Sequence, residues 1–320
     1  MKKKVGKKYS LGVDFGSLSA RAVLFDVKNG AFVGSFESLY EHGIINEDIY
    51  LKFISAEKCE VTETSGLEVH FIDVDQAECI LIKTPEKSVL IDAGDIGYEK
   101  KIENYLRTNG IFSIDLFIAT HPHADHIGSA SGIIKKFPVS EVIIPEIPSE
   151  FLPTTSLFED FLLTVSLKNC ELSYSENGKT YDLGSGATLE ILGPAGYSGD
   201  NLNNYSVISK LTFGETSFLF TGDAEEEAEL LLLDSGADVS CTVLNAGHHG
   251  SSTSSCALFL KAASPEFAAI SCGYNNDYGH PHKEVVSQFK DFGIEYYRTD
   301  YDGSIVFCSD GKNIKVKTSK

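Results

Sequence analysis

Apolar and polar positions alternate along much of the chain, and the pattern changes character near residue 46. Before it, alternating apolar residues at 9–13, 20–26 and 31–37 predict three strands, with Asn29-Gly30 as a hairpin turn. Residues 46–66 turn polar in their second half and read as a linker. From residue 67 the pattern is regular. "LEVHFIDV", "AECILIKT" and "SVLIDAG" predict strands, and "YEKKIENYLRTNG" predicts a helix ending at Gly110. "IDLFIAT" reads as a buried strand that ends at His121, followed by a helix in "IGSASGIIKKF" and a strand in "VSEVIIP". After a helical "TSLFEDFLLTV" come strands in "ATLEILGPA", "YSVISKLTFG" and "TSFLFTGD". Helices in "AEEEAELLLLDSG", "SSCALFLKAA" and "HKEVVSQFKDFG" then alternate with strands in "DVSCTVLNAG" and "EFAAISCGY". Strands in runs, interrupted by helices, predict two packed sheets with helices outside. The expected organisation is an N-terminal fragment at 1–45, a linker at 46–66 and one large domain at 67–320.

Composition narrows the functions open to such a domain. With 320 residues, 42% of them hydrophobic, the chain can bury a full core. Its formal net charge is −19, and no basic tract follows the first eight residues. Such a chain is repelled by phosphate backbones, so no stable complex with long nucleic acid is expected. Seven scattered cysteines without a Cys-x-x-Cys pair point to reduced thiols. The basic opening is not followed by an apolar run with a cleavage site, and no 18-residue apolar stretch occurs. The expectation is a cytoplasmic protein without a membrane span.

The chemistry concentrates in "ATHPHADHIGS", residues 119–129. Three histidines and an aspartate crowd into six positions directly after an apolar strand. His121 and His123, spaced i, i+2, can hold one divalent ion; Asp125 and His126, at a helix N-terminus, can hold a second. Asp125 could instead be a plain helix cap, but four ligand-type residues in this spacing favour a metal site. "FLFTGDAEEE" offers Asp223, which taken alone could also form a capping box with Glu226. "LNAGHHGSS" offers His248 and His249, and "DYGHPHKE" offers His280 and His282. Of the nine histidines, only His42 and His70 lie outside these turns.

The order of "FIDVDQAECILI", "THPHADHIG", "NNYSVISKL", "FTGDAEEE", "HHGSSTSS", "GHPH" and "YRTDYDGSI" over some 250 residues resembles the metallo-β-lactamase fold, in the branch found in ComEC-type competence proteins. The resemblance implies a four-layer αββα architecture. It also implies His121 and His123 on one metal, Asp125 and His126 on the other, Asp223 as a bridge, and a last ligand from the His248/His249 pair, with His249 favoured because it precedes a glycine. The cofactors implied are two divalent ions, zinc or manganese, clamping a hydroxide. The family's middle histidine ligand is missing; "NNYS", with Asn204 and Ser206, stands in its region. A further departure is Asp75-Gln76-Ala77-Glu78, where the family has Gly-Gln-Gly-Asp and glycine would permit a positive φ. The reaction expected is hydrolysis of a small phosphodiester or short nucleic acid, with Asp125 catalytic and Asn204, Ser206, His280 and His282 contacting substrate. Hydrolysis of an ester, lactone or other acyl substrate on the same metals is the alternative.

The first 45 residues carry a separate resemblance. "LGVDFGSLSARAVLFDVKNG" is similar to the opening of FGGY-type sugar kinases, closest to ribulokinases. There Asp14-Phe15-Gly16-Ser17 would be the first phosphate loop of an actin-like ATPase domain. No second phosphate loop, adenosine motif or sugar segment follows, and phosphoryl transfer needs those parts together. Kinase activity is therefore not expected. An ATP-binding module of kinase descent is the reading from a different class.

Overall fold

The computed structural model describes residues 66–320 throughout, together with the backbones of three N-terminal strands. Those strands are β1 (Tyr9–Phe15), β2 (Ser19–Asp26) and β3 (Phe32–Leu39). They pair antiparallel in chain order, with a register irregularity at Leu24/Phe25. The Asn29-Gly30 turn, Gly16-Ser17 and residues 46–65 lie outside the described residues. By contacts the chain divides into a unit at 1–63 and a unit at 64–320.

The larger unit is built on two sheets. The first contains β4 (Leu67–Phe71), β5 (Ile80–Lys83), β6 (Ser88–Ile91), β7 (Ile114–Ile118), β8 (Val139–Ile144) and β9 (Glu171–Tyr174). The second contains β10 (Thr180–Asp182), β11 (Ala187–Ile191), β12 (Ser209–Phe213), β13 (Thr216–Phe220), β14 (Val243–Asn245), β15 (Phe267–Ile270) and β16 (Glu295–Arg298). The last hairpin, β17 (Ile305–Ser309) and β18 (Ile314–Thr318), returns to the first sheet. The strand orders are β18-β17-β4-β5-β6-β7-β8-β9 and β10-β11-β12-β13-β14-β15-β16. Strands β6 to β9 run parallel, as do β13 to β16.

The layering follows from the period-2 pattern. Successive strand side chains point to opposite faces, so an all-apolar strand must be covered on both. In β5, Ile80 and Ile82 join Phe71, Phe218, Phe220 and Phe307 between the sheets, whereas Leu81 faces outward. In β7, Leu116 and Ile118 face inward and Phe117 outward. The outward residues pack on Ile102 and Leu106 of helix Glu99–Thr108, on Ile133 and Ile134 of helix Ala130–Lys136, and on Phe161 of helix Ser156–Leu167. On the far side, Leu219, Leu244 and Ile270 pack on Leu232, Leu260 and Phe289 of helices Glu226–Asp234, Ala257–Ala263 and Lys283–Asp291. The result is the expected αββα sandwich, with the C-terminal ends of both sets of parallel strands at one rim, where open α/β sheets place their ligands.

Several elements are shorter than their apolar runs. The run at 205–214 is a strand only from Ser209, because Leu202–Tyr205 coils into a 3₁₀ turn capped by Asn201. The run at 238–247 contributes three residues, Val243–Asn245. The helix expected at 127–137 is two, Ala124–Ile127 and Ala130–Lys136. Gly128 sits at their junction, where a Cβ would overlap the backbone of Ile96 and Asp95.

Candidate metal centre

Each ligand-type side chain sits where a strand ends. His121 follows β7 and is fully buried; His123 is the N-cap of helix Ala124–Ile127, which carries Asp125 and His126 in its first turn. Asp125 is therefore inside the helix rather than its cap. Asp223 follows β13. It forms no capping box, since the next helix starts at Glu226 with Glu225 as N-cap and no side-chain cap. Its carboxylate is buried among histidines instead. His248 and His249 follow β14 and both take left-handed backbone angles, φ 51° and 55°. Such angles cost an L-residue about 1–2 kcal/mol each. The tight turn sends the two rings to different oxygens of one aspartate.

Asp223 organises the cluster. Its Oδ1 lies 3.2 Å from His126 Nε2 and 3.7 Å from His249 Nε2. Its Oδ2 lies 3.8 Å from His121 Nε2 and 3.6 Å from His248 Nε2. On the first side Asp125 Oδ2 completes the group, 3.3 Å from His249 Nε2 and 3.9 Å from His126 Nε2. On the second side His123 Nδ1 is 3.0 Å from His121 Nε2.

The tautomers are set from outside. His249 Nδ1 donates to the Ser271 carbonyl at 2.9 Å, and His126 Nδ1 donates to Asp92 Oδ2 at 2.7 Å. Thr120 Oγ1 donates to Asp92 Oδ2 at 2.6 Å, which leaves it to accept from His121 Nδ1 at 3.2 Å. In all three rings, when neutral, Nε2 is then the bare nitrogen, and it faces Asp223. Asp92, at the end of β6, also accepts from Thr120 N at 2.8 Å and is completely buried. It is not among the residues that the sequence pattern singles out.

These residues fit metal ions. His126 Nε2, Asp223 Oδ1 and His249 Nε2 are buried without a hydrogen-bond partner, although they are close to one another. Ligand atoms of Asp125, His126, Asp223 and His249 all lie within 4.8 Å of one another. Ligands about 2.0–2.1 Å from a tetrahedral ion sit roughly 3.3 Å apart, close to the distances between these atoms. Unshared lone pairs that converge in a dry pocket are costly unless a cation takes them. The charges agree. Burial pushes the Asp223 carboxyl up, but His126 and His249 outweigh it and hold it well below the usual range. Burial pushes His249 down, yet Asp223 and Asp125 raise it to about 9, so without an ion this ring holds a proton on Nε2, in the place a metal cation would take.

The remaining predicted residues divide. Ser206 Oγ accepts from Asp223 N at 3.0 Å and lies 3.4 Å from His121 Nδ1. Asn204 Oδ1 accepts from Glu225 N at 3.0 Å. Both therefore brace the Asp223 loop. His282 accepts from Ser252 N through Nδ1 at 2.9 Å and donates through Nε2 to the Tyr278 carbonyl at 3.2 Å, so both its nitrogens are committed to backbone. His280 is different: its ring stacks on His249 at 6.4 Å and meets His248 edge-on at 5.7 Å. Burial lowers its pKa to about 4, which keeps it neutral at pH 7. In the departing turn Asp75 carries the positive φ, 64°, and Ala77 does not. The left-handed position of this turn thus falls on a short polar residue, which tolerates it better than alanine would.

The family model of the metallo-beta-lactamase superfamily matches residues 72–274, more than half of the chain. The chain belongs to the metallo-beta-lactamase superfamily. It is a metal-dependent hydrolase with a His/Asp cluster able to hold metal ions. It is 28% identical over 258 residues to ComE operon protein 3 of Bacillus subtilis, covering 75% of this chain and 33% of that one. It is also 28% identical over 237 residues to competence protein ComA of Neisseria gonorrhoeae, covering 73% and 31%. The hydrolase thus spans about a third of the length of these relatives. Among solved structures, the metallo-beta-lactamase fold protein YhfI of Bacillus subtilis matches with a TM-score of 0.51 and 13% identity, over 76% of this chain and 99% of that one. The N-terminal resemblance is confined to a short segment, 52% identical over 40 residues to a ribulokinase of Mycolicibacterium smegmatis, which is 12% of this chain and 7% of that one.

Proposed function

We propose that the hydrolase cleaves phosphodiesters, with nucleotide-sized or short nucleic-acid substrates, on a two-ion centre of zinc or manganese. The observation that carries this reading is the division of Asp223: one oxygen faces His126 and His249, the other His121 and His248. One ion would rest on Asp125, His126, His249 and Asp223 Oδ1. The other would rest on His121, His123, His248 and Asp223 Oδ2. Divalent ions bound there supply Lewis acidity, neutralise phosphoryl charge and acidify a coordinated water.

The chain's own residues supply position and exclusion. Thr120, Asp92 and Ser271 keep the ligand nitrogens bare and aimed. Asp125, whose side chain is 31% exposed while Asp223 and His249 are closed off, reaches the open side and orients the attacking water. His280, neutral and beside both His248 and His249, offers a hydrogen bond to a substrate oxygen. Asn204, Ser206 and His282 support the loops. The formal charge of −19 favours substrates gripped at the metal centre over long polyanions, and the competence-protein relatives favour phosphodiesters over acyl groups. Among the described residues no helix is long and apolar enough to cross a membrane.

Rates on bis-p-nitrophenyl phosphate, short single-stranded DNA and a lactone, each with zinc and with manganese, test the proposal. The expected result is phosphodiester cleavage exceeding lactone opening under at least one metal. Lactone turnover with no phosphodiester cleavage under either metal would transfer the function to acyl hydrolysis.

A further inference from the structure

The turn at residues 75–78 meets the loop at 273–280 beside the metal centre. The approach is close enough that a Cβ on Gly273 would overlap Asp75 Oδ1, with Gln76 N at 2.8 Å. Gln76 bridges the two. Its Oε1 accepts from the Gly273 N–H at 2.9 Å, and its Nε2 lies 3.3 Å from His280 Nδ1. A backbone N–H can only donate, so it fixes which end of the amide is oxygen. The other end, the NH₂, can only donate in turn. His280 Nδ1 must therefore accept, and a neutral ring must carry its proton on Nε2. The backbone of His280 is pinned as well: Asn276 Oδ1 accepts from His280 N at 3.0 Å, and Asn276 Nδ2 donates to the His280 carbonyl at 2.6 Å and the Gly273 carbonyl at 2.9 Å. The ring stacks on Tyr278 at 5.6 Å and on His249 at 6.4 Å. Among the described residues, Nε2 of His280 has no hydrogen-bond partner.

From this chain of single-direction hydrogen bonds we propose that Gln76 is a positioning residue, which holds His280 as the Nε2–H tautomer so that this N–H donates to a non-bridging oxygen of the substrate. The proposal rests on the phosphodiesterase reading for the identity of that oxygen, but not for the tautomer. A neutral imidazole fixed in this way serves as a hydrogen-bond donor to developing negative charge; no proton leaves the ring, and none needs replacing. It gives Gln76 a purpose distinct from turn geometry, since Asp75 already takes the positive φ.

The test uses full-length, zinc-loaded protein labelled with ¹⁵N-histidine, with the His280 signal assigned by its disappearance in H280Q. Two-bond ¹H–¹⁵N correlation should show wild-type His280 protonated at Nε2. In Gln76→Glu, one carboxylate oxygen still accepts from Gly273 and the other can only accept from His280. The proton should appear on Nδ1, with Nε2 left bare. In Gln76→Leu the ring should lose its fixed tautomer without gaining a charge beside it. Both variants should keep wild-type zinc content; Gln76→Glu should lose kcat on bis-p-nitrophenyl phosphate by on the order of 100-fold, the scale for one oxyanion donor, and Gln76→Leu, whose ring still samples the Nε2–H form, by less. A wild-type ring protonated at Nδ1 would overturn the proposal. So would an unmoved tautomer in Gln76→Glu, or a moved tautomer with unchanged kcat. Absence of phosphodiester turnover by wild type would sink the phosphodiesterase reading instead; the tautomer, read without substrate, still decides the assignment of Gln76.

Discussion

Asp223→Ala is expected to leave the purified chain with at most one tightly held metal ion per molecule and to lower kcat/KM by well over about 100-fold, since losing even an outer partner of a ligand costs roughly 10–100-fold in affinity or activity. The size of the effect follows from the geometry. Each carboxylate oxygen faces its own pair of histidine nitrogens, at 3.2 and 3.7 Å on one side and 3.6 and 3.8 Å on the other. Removing both oxygens leaves four imidazoles facing one another across the gap, with Asp125 beside His126 and His249, Asp92 beside His126 and Glu225 beside His248 as the carboxylates left to offset their charge. Asp223→Asn separates the two sides: an amide keeps one acceptor oxygen, so this variant should retain one ion more firmly than the alanine variant and still lose most activity. Metal content after dialysis, read beside a circular dichroism spectrum that reports folding, checks both. Two ions in Asp223→Ala with the fold intact would remove Asp223 from the centre.

Asp92→Asn should be nearly as damaging to metal binding, although Asp92 offers no ligand. Its carboxylate accepts from Thr120 N, Thr120 Oγ1 and His126 Nδ1. An amide has one acceptor end. If that end keeps Thr120 N, the NH₂ faces His126 Nδ1 and forces it to accept; the proton moves to His126 Nε2, and the ligand nitrogen is lost. If the amide turns round, Thr120 N is buried facing a donor, which costs about 1–3 kcal/mol. Asn tolerates the positive φ of this position, 58°, so the substitution isolates hydrogen bonding from backbone strain. The expected loss of metal affinity is about 10–100-fold, measurable by competition with a chelator, with a lowered midpoint in thermal unfolding of metal-stripped protein. Unchanged affinity and midpoint would show that Asp92 neither orients His126 nor contributes to the core.

Much of this centre is legible without coordinates, because histidine is rare outside it and every cluster follows an apolar strand. Periodicity locates the sheets where both faces are covered, as in β5 and β7. It fails at the exposed edge, where β9 and β10 carry few apolar side chains and pass for loop. It also overruns at 205–214, where apolar residues continue through a 3₁₀ turn that no period marks. Asp92 escapes for a different reason. It is a single aspartate at a strand end, and its partners Thr120 and His126 are 28 and 34 residues away, so no local spacing announces it. His282 misleads in the opposite direction: a histidine two residues from another resembles a ligand pair, but its neighbours in space are backbone groups of Ser252 and Tyr278 that the sequence does not reveal. The role of Gln76 depends on the direction of one backbone N–H, at Gly273, which only the fold brings near.

The most direct test is a titration of zinc or manganese into metal-stripped, full-length protein while hydrolysis of bis-p-nitrophenyl phosphate is followed. If Asp223 joins two ion sites that act together, the rate should stay low through the first equivalent, rise with the second and level off at two ions per chain. A plateau at one equivalent, or no phosphodiester cleavage at any loading of either metal, would contradict it.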